Sequence, residues 1–113
     1  MKRGDIYLCD FGDPVGSGAG FIRPVVIVQD DRFNNSGIGT TVTLSMTSNQ
    51  KYKDHPGCLL LLKSETGLDR DSVVNATQIT AVDKSQLMDV IGKVPDDLMV
   101  KVEECIKIVL GME

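Results

Sequence analysis

The first periodic segment covers residues 5–11. Ile6 and Leu8 alternate there with Tyr7, Cys9 and Phe11, the period-two pattern of a β-strand. A break follows at once. Four glycines and a proline occupy residues 12–20, a composition that neither helix nor regular strand tolerates. Residues 25–29 then form a β-branched run that predicts a buried strand. Pro24 before it cannot donate a ladder hydrogen bond and should mark the strand start or an edge. Residues 30–39 are polar and predict a loop. Residues 40–47 alternate Thr41, Thr43 and Ser45 with Val42, Leu44 and Met46, which predicts a half-buried strand with one hydroxyl-bearing face.

A third loop spans 48–57, and residues 58–63 return to strand character. Residues 65–68 read as a turn. Residues 72–82 are strand-like with a break expected near Thr77-Gln78. Asp83-Lys-Ser-Gln86 is a capping box and predicts a short helix. Residues 88–91 suit a last short strand. Pro95-Asp-Asp then opens a long helix, with proline at the first helical position and two acids at the positive dipole end. Leu98, Val102, Cys105, Ile106 and Val109 form its apolar stripe, and Gly111 its stop. The spacing leaves no room for βαβ crossovers. The expected fold class is therefore β-rich α+β: five to seven short, mostly antiparallel strands in a small barrel or strongly curved sheet, with short helices and a C-terminal helix.

The 113 residues suit one domain covering 1–113, and 42% hydrophobic with 25% charged residues is the balance of a globular protein. The longest apolar run is five residues, too short to cross a membrane, and no signal-peptide core opens the chain. A cytoplasmic protein without membrane contact is expected. Cys9, Cys58 and Cys105 lie 49 and 47 residues apart, with no metal or redox spacing, and should be buried reduced thiols. One histidine and no paired cysteines argue against a zinc site. The net charge is −4. Residues 1–56 balance six cations against six anions, whereas residues 57–113 carry six against ten. Nucleic acid is not held here by bulk positive charge, so any such contact needs a local patch.

The glycines of residues 16–20 are followed by Arg-Pro and a strand, not by the helix that a dinucleotide-binding loop requires. Arg23 stands between that loop and an apolar strand, where a guanidinium fork can be aimed at a phosphate. It equally suits a surface or structural ion pair. Thr47 ends its strand with a hydroxyl able to bond a phosphate oxygen, although threonine is common there for propensity reasons alone. The stretch from Asn49 to His55 mixes amides, Lys51, Lys53, Tyr52 and the single imidazole. Amides read base edges, lysines neutralise phosphates and tyrosine stacks, yet any solvated loop has this composition. Asp69-Arg70-Asp71 reads as a solvated charged turn.

Together these segments resemble the MazF/PemK family of toxin endoribonucleases. The resemblance rests on Arg3-Gly-Asp-Ile-Tyr7, Arg23-Pro-Val-Val26, Leu44-Ser-Met-Thr-Ser-Asn-Gln50, Gly67-Leu-Asp-Arg-Asp-Ser-Val-Val74, Gln78-Ile79 and the terminal helix. It implies an SH3-like antiparallel barrel and a homodimer. It implies metal-independent and cofactor-free cleavage of single-stranded RNA at a short sequence. The 2′-hydroxyl would attack the adjacent phosphate and leave a 2′,3′-cyclic phosphate or 3′-phosphate and a 5′-hydroxyl. A cognate antitoxin would cover the RNA groove with its C-terminal segment. Arg23 and Thr47 fall on catalytic positions, which implies that Arg23 stabilises charge on the phosphate or protonates the leaving 5′-oxygen and that Thr47 holds a phosphate oxygen; Ser17, Gly20, Phe21, Asn49, Gln50, Lys51, Thr77 and Gln78 fall along the substrate groove.

Two positions depart from the family. Gly18 stands where many relatives carry a glutamate and Thr77 where some carry Asp or Glu, so the resemblance leaves the general base open between Ser17, another groove carboxylate and water. Two alternatives use the same fold: a CcdB-like poison that binds DNA gyrase without cleaving anything, and a silent member that only binds antitoxin.

Overall fold

The computed structural model describes residues 1–12, 16 and 21–112. Among them run β1 (Asp5–Asp10), β2 (Ile22–Ile27), α1 (Asp31–Asn34), β3 (Thr40–Thr47), β4 (Cys58–Leu61), α2 (Lys63–Thr66), β5 (Ser72–Asp83), β6 (Leu87–Lys93) and α3 (Asp96–Leu110). Single 3-10 turns cover Gln50–Tyr52 and Lys84–Gln86. The strands form one antiparallel sheet in the order β4-β5-β3-β2-β1-β6. The fold is the expected β-rich α+β class. The sheet stays open, with β4 and β6 as its two edges.

The even residues of β1 to β3 supply the larger core. Ile6, Val26, Leu44 and Met46 pack with Val74 and Ala76 of β5 and with Met99, Val102 and Cys105 of α3. α3 covers this side of the sheet, as its apolar stripe requires. The stripe also includes Met99, one position off the expected series. Pro95 is the N-cap, not the first helical residue, and Gly111 closes the helix in the left-handed conformation (φ 68°). The odd residues Cys9 of β1 and Val25 of β2 build a smaller cluster with Val82 of β5, and Tyr7, Phe11 and Leu87 pack against it.

Several expectations change in the structure. β3 is buried on both sides: Leu44 and Met46 face the core that includes α3, and Thr41, Thr43 and Ser45 on the other face are buried as well. Its hydroxyls therefore need internal partners. Thr41 Oγ1 donates to Asn34 Oδ1 at 2.8 Å and Thr43 Oγ1 donates to the Thr80 carbonyl at 3.1 Å. Ser45 Oγ is buried with no partner among the described residues. The polar stretch 30–39 contains α1, capped by Asp30, whose side chain accepts from the Arg32 N–H. The expected turn at 65–68 lies at the end of α2, with Gly67 in the left-handed region (φ 81°). Pro24 is third in β2, opposite Leu8 of β1, where the β2–β3 ladder has not yet begun, so its missing N–H costs nothing there. Cys9 and Cys105 are buried, Cys58 only in part, and all three are free thiols. Burial, with Asp10 nearby, pushes the Cys9 thiol up to about 11. No helix among the described residues is long and apolar enough to cross a membrane.

Candidate active site

Three chain reversals meet at one end of the sheet. β2 begins there at Ile22, β3 ends there at Thr47, and β5 begins there at Ser72. The ladders explain the meeting. Val25 pairs with Ser45, so two further steps of the same register bring Arg23 beside Thr47. Thr47 in turn pairs with Val73, which draws the turn before β5 to the same end. The result is an open cleft of about 550 Å³. Its lining includes Phe21, Arg23, Pro24, Thr47 and Ser48 together with Leu68, Asp69, Arg70, Ser72 and Ile91.

The backbone around the cleft is held by short polar turns. Thr47 Oγ1 accepts the Asn49 N–H at 3.1 Å, which leaves its own hydrogen to donate outward. Asn49 Oδ1 caps the next turn by accepting the Lys51 N–H at 3.0 Å. Lys51 Nζ sits 4.9 Å from the centre of the Tyr52 ring, a cation–π contact. In the turn before β5, Ser72 Oγ donates to the Arg70 carbonyl at 3.1 Å. Asp71 is occupied in accepting the Lys63 N–H at 2.8 Å, which ties the turn to α2. Asp69, and not Asp71, is the carboxylate on the cleft wall. Phe21 has φ +58° and is 61% exposed. A bulky side chain in the left-handed region is strained, and such strain gathers at functional sites.

A second cleft of about 420 Å³ opens beside the Gln50–Tyr52 turn. Thr77 and Gln78 line it, together with Tyr52, His55 and Asn75. The expected break in β5 is a bulge. Thr43 pairs with Thr80 and Ser45 with Asn75, so residues 76–79 of β5 stand against Leu44 alone. Bulges re-aim side chains out of the ladder, and this one sends Thr77 and Gln78 to the cleft. Cys58 also reaches this cleft, but burial raises its thiol, so it is no ready nucleophile.

The expected site residues are therefore divided. Phe21, Arg23 and Thr47 share the first cleft, and Thr77 and Gln78 the second. Asn49, Gln50 and Lys51 are exposed on the turn between them. Ser17, Gly20 and Gly18 lie outside the described residues. Asp69, Arg70, Ser72 and Asn75 carry no site signal in the sequence pattern and join the two clefts only through strand pairing. Among the described residues, no group of three His, Cys, Asp or Glu side chains is placed to hold a metal ion.

Comparison with known proteins gives a consistent picture. Residues 2–110 match the model of the family described as "PemK-like, MazF-like toxin of type II toxin-antitoxin system". The endoribonuclease MazF6 of Mycobacterium tuberculosis is 38% identical over 112 residues, 99% of this chain and 98% of the relative. A mycobacterial endoribonuclease solved in complex with its cognate antitoxin superposes with a TM-score of 0.79 at 25% identity, covering 100% of this chain and 97% of that one. MazF of Deinococcus radiodurans shares the fold, with a TM-score of 0.82 at 22% identity over 99% of this chain and 97% of that one.

Proposed function

The chain belongs to the PemK-like, MazF-like toxin family of type II toxin–antitoxin systems, and from that premise we propose that it cuts single-stranded RNA at the cleft between Arg23 and Asp69. The observation that carries the reading is the register neighbourhood of Arg23 and Thr47 on one wall of that cleft. A guanidinium fork and an outward hydroxyl there suit a phosphodiester. The ribose 2′-oxygen attacks the adjacent phosphorus, the bond to the 5′-oxygen breaks, and a 2′,3′-cyclic phosphate and a 5′-hydroxyl result. Hydrolysis of the cyclic ester then gives a 3′-phosphate.

The residues divide the chemistry between them. Arg23 and the Thr47 hydroxyl stabilise the negative charge that builds on the phosphate oxygens. Asp69 accepts the proton of the attacking 2′-hydroxyl, the role the resemblance left without an owner. Arginine does not give up a proton at working pH, so the departing 5′-oxygen takes its proton from water in this open cleft. Arg70 and Lys51 supply local positive charge that the overall balance of the chain lacks. No step needs a metal. A cognate antitoxin neutralises the toxin by occupying the same cleft; that a mycobacterial relative is solved in complex with its cognate antitoxin supports the partnership itself. The toxin works as a homodimer of single 1–113 domains in the cytoplasm.

The test is incubation of a long unstructured RNA with the purified protein in EDTA, followed by mapping of the new ends. Discrete fragments with 5′-hydroxyl ends are expected. Intact RNA with a folded protein overturns the proposal. Asp69→Asn should slow cleavage by about 10²–10⁴-fold, the usual contribution of a general base, with RNA affinity kept. An unchanged rate removes Asp69 from the mechanism.

A further inference from the structure

The second cleft contains a hydrogen-bonding group whose orientation is fixed by the backbone. Asn75 Oδ1 accepts the Thr77 backbone N–H at 3.0 Å and the Thr77 Oγ1 hydrogen at 2.5 Å. Only the oxygen of the amide can accept both, so the assignment of its two ends is not free. The Nδ2 group is thereby turned away from Thr77, and it donates to nothing among the described residues. Thr77 has spent its hydroxyl hydrogen on Asn75 and offers only lone pairs.

The walls around this amide are equally well held. Tyr52 and His55 meet edge to face with ring centres 5.1 Å apart. The Lys51 ammonium braces the Tyr52 ring. The Ala76 N–H donates to the Gly57 carbonyl at 2.9 Å, which ties the loop that carries both rings to β5. Gly57 itself has φ +83°, and a Cβ there would stand 2.5 Å from Val109 Cγ2, so loop and α3 are in close contact. The volume, about 420 Å³, falls within the range of small-ligand pockets, roughly 300–1,000 Å³. Asn75 pairs with Ser45, two residues before Thr47 on β3. The pocket is thus about 7 Å along the strand from Thr47, at roughly 3.4 Å per residue.

We propose that Asn75 is a specificity-determining residue: its pinned Nδ2 donates to an acceptor atom on the edge of one nucleobase seated against Tyr52, one nucleotide away from the bond that is cut. This rests on the endoribonuclease reading above. An aromatic ring holds any base by stacking, because every base has a π-face. Discrimination comes from edge hydrogen bonds, and a donor that cannot turn over rejects an edge that presents a donor. Asn75 can do this because Thr77 has removed the amide's usual freedom to flip.

The decisive variant is Asn75→Asp. It is nearly isosteric and still accepts both bonds from Thr77, but it replaces the donor by an acceptor. Wild-type and variant proteins are given the same pool of randomised RNA, and the sequences around the cuts are compared. Ratios within one pool cancel any uniform loss from the added charge. The wild type should show a base preference at one position beside the cut. In Asn75→Asp that preference should fall about tenfold or more, the size of one mismatched contact, with the other positions unchanged. If the variant cuts too slowly, competition between single-stranded oligomers differing at that base gives the same ratio by binding. An unchanged preference overturns the role of Asn75 while the endoribonuclease reading stands. Failure of the wild type to cut any RNA overturns both.

Discussion

Arg23→Ala should lose RNA cleavage by about 10²–10³-fold, the effect of removing a main donor to a charged transition state, or about 3–4 kcal/mol. Stability should scarcely change. Arg23 is exposed at the start of β2, before the β2–β3 ladder, and its neighbours Val25 and Val26 carry the burial. The loss should appear in the single-turnover rate on a short cleavable RNA, with the melting temperature measured alongside. Arg23→Lys makes the argument sharper. Lysine keeps the charge but loses the planar fork, so the rate should recover only in part. Full recovery would mean that a point charge suffices and the fork is idle. A wild-type rate in Arg23→Ala, in a protein with unchanged melting, would move the chemistry away from this cleft altogether.

Local pattern and pairing contribute differently to this site. β3 is legible to its exact bounds because its alternation is unbroken from Thr40 to Thr47. The helix α3 is legible because Pro95, two acids and Gly111 punctuate it. That both faces of β3 are buried is not legible, because period-two alternation is read against one buried face, and central position is a property of the whole sheet. The same holds for the site. Arg23 and Thr47 each looked ambiguous, and only the ladder sum that joins Val25 to Ser45 makes them neighbours. Asp69 and Arg70 looked like a solvated corner. Their place in the same cleft as Arg23 follows from the pairing of Thr47 with Val73, between residues 26 positions apart. Asn75 carries no signal at all, since its role depends on the bulge that begins at the next residue. The break near Thr77-Gln78 was visible, but its consequence, two side chains sent to a separate cleft, was not.

Gly92→Ala should damage fold and cleft together, through a contact far from the phosphate. Gly92 lies in β6 opposite Ile6 of β1. A Cβ there would stand 2.6 Å from the Thr66 carbonyl oxygen and 3.1 Å from Leu68 Cδ2. The first of these is backbone at the end of α2, and it cannot swing aside as a side-chain tip would. Either β6 leaves β1 or the segment from Thr66 to Leu68 moves outward. Overpacking of this kind costs about 1–3 kcal/mol. For a chain of this size that lowers the melting temperature by roughly 4–8 °C per kcal/mol. The displaced segment leads directly into Asp69 and Arg70, so that part of the cleft lining moves with it. Cleavage should therefore fall at temperatures where the variant is still fully folded. Gly37→Ala is the control, because a Cβ at Gly37 meets nothing within 4 Å, and it should change neither melting nor cutting. If Gly92→Ala melts and cuts like the wild type, β6 does not press against the end of α2. If it melts lower but cuts normally when folded, the turn carrying Asp69 and Arg70 is positioned by its own bonds to α2 and β5, and Gly92 serves packing alone.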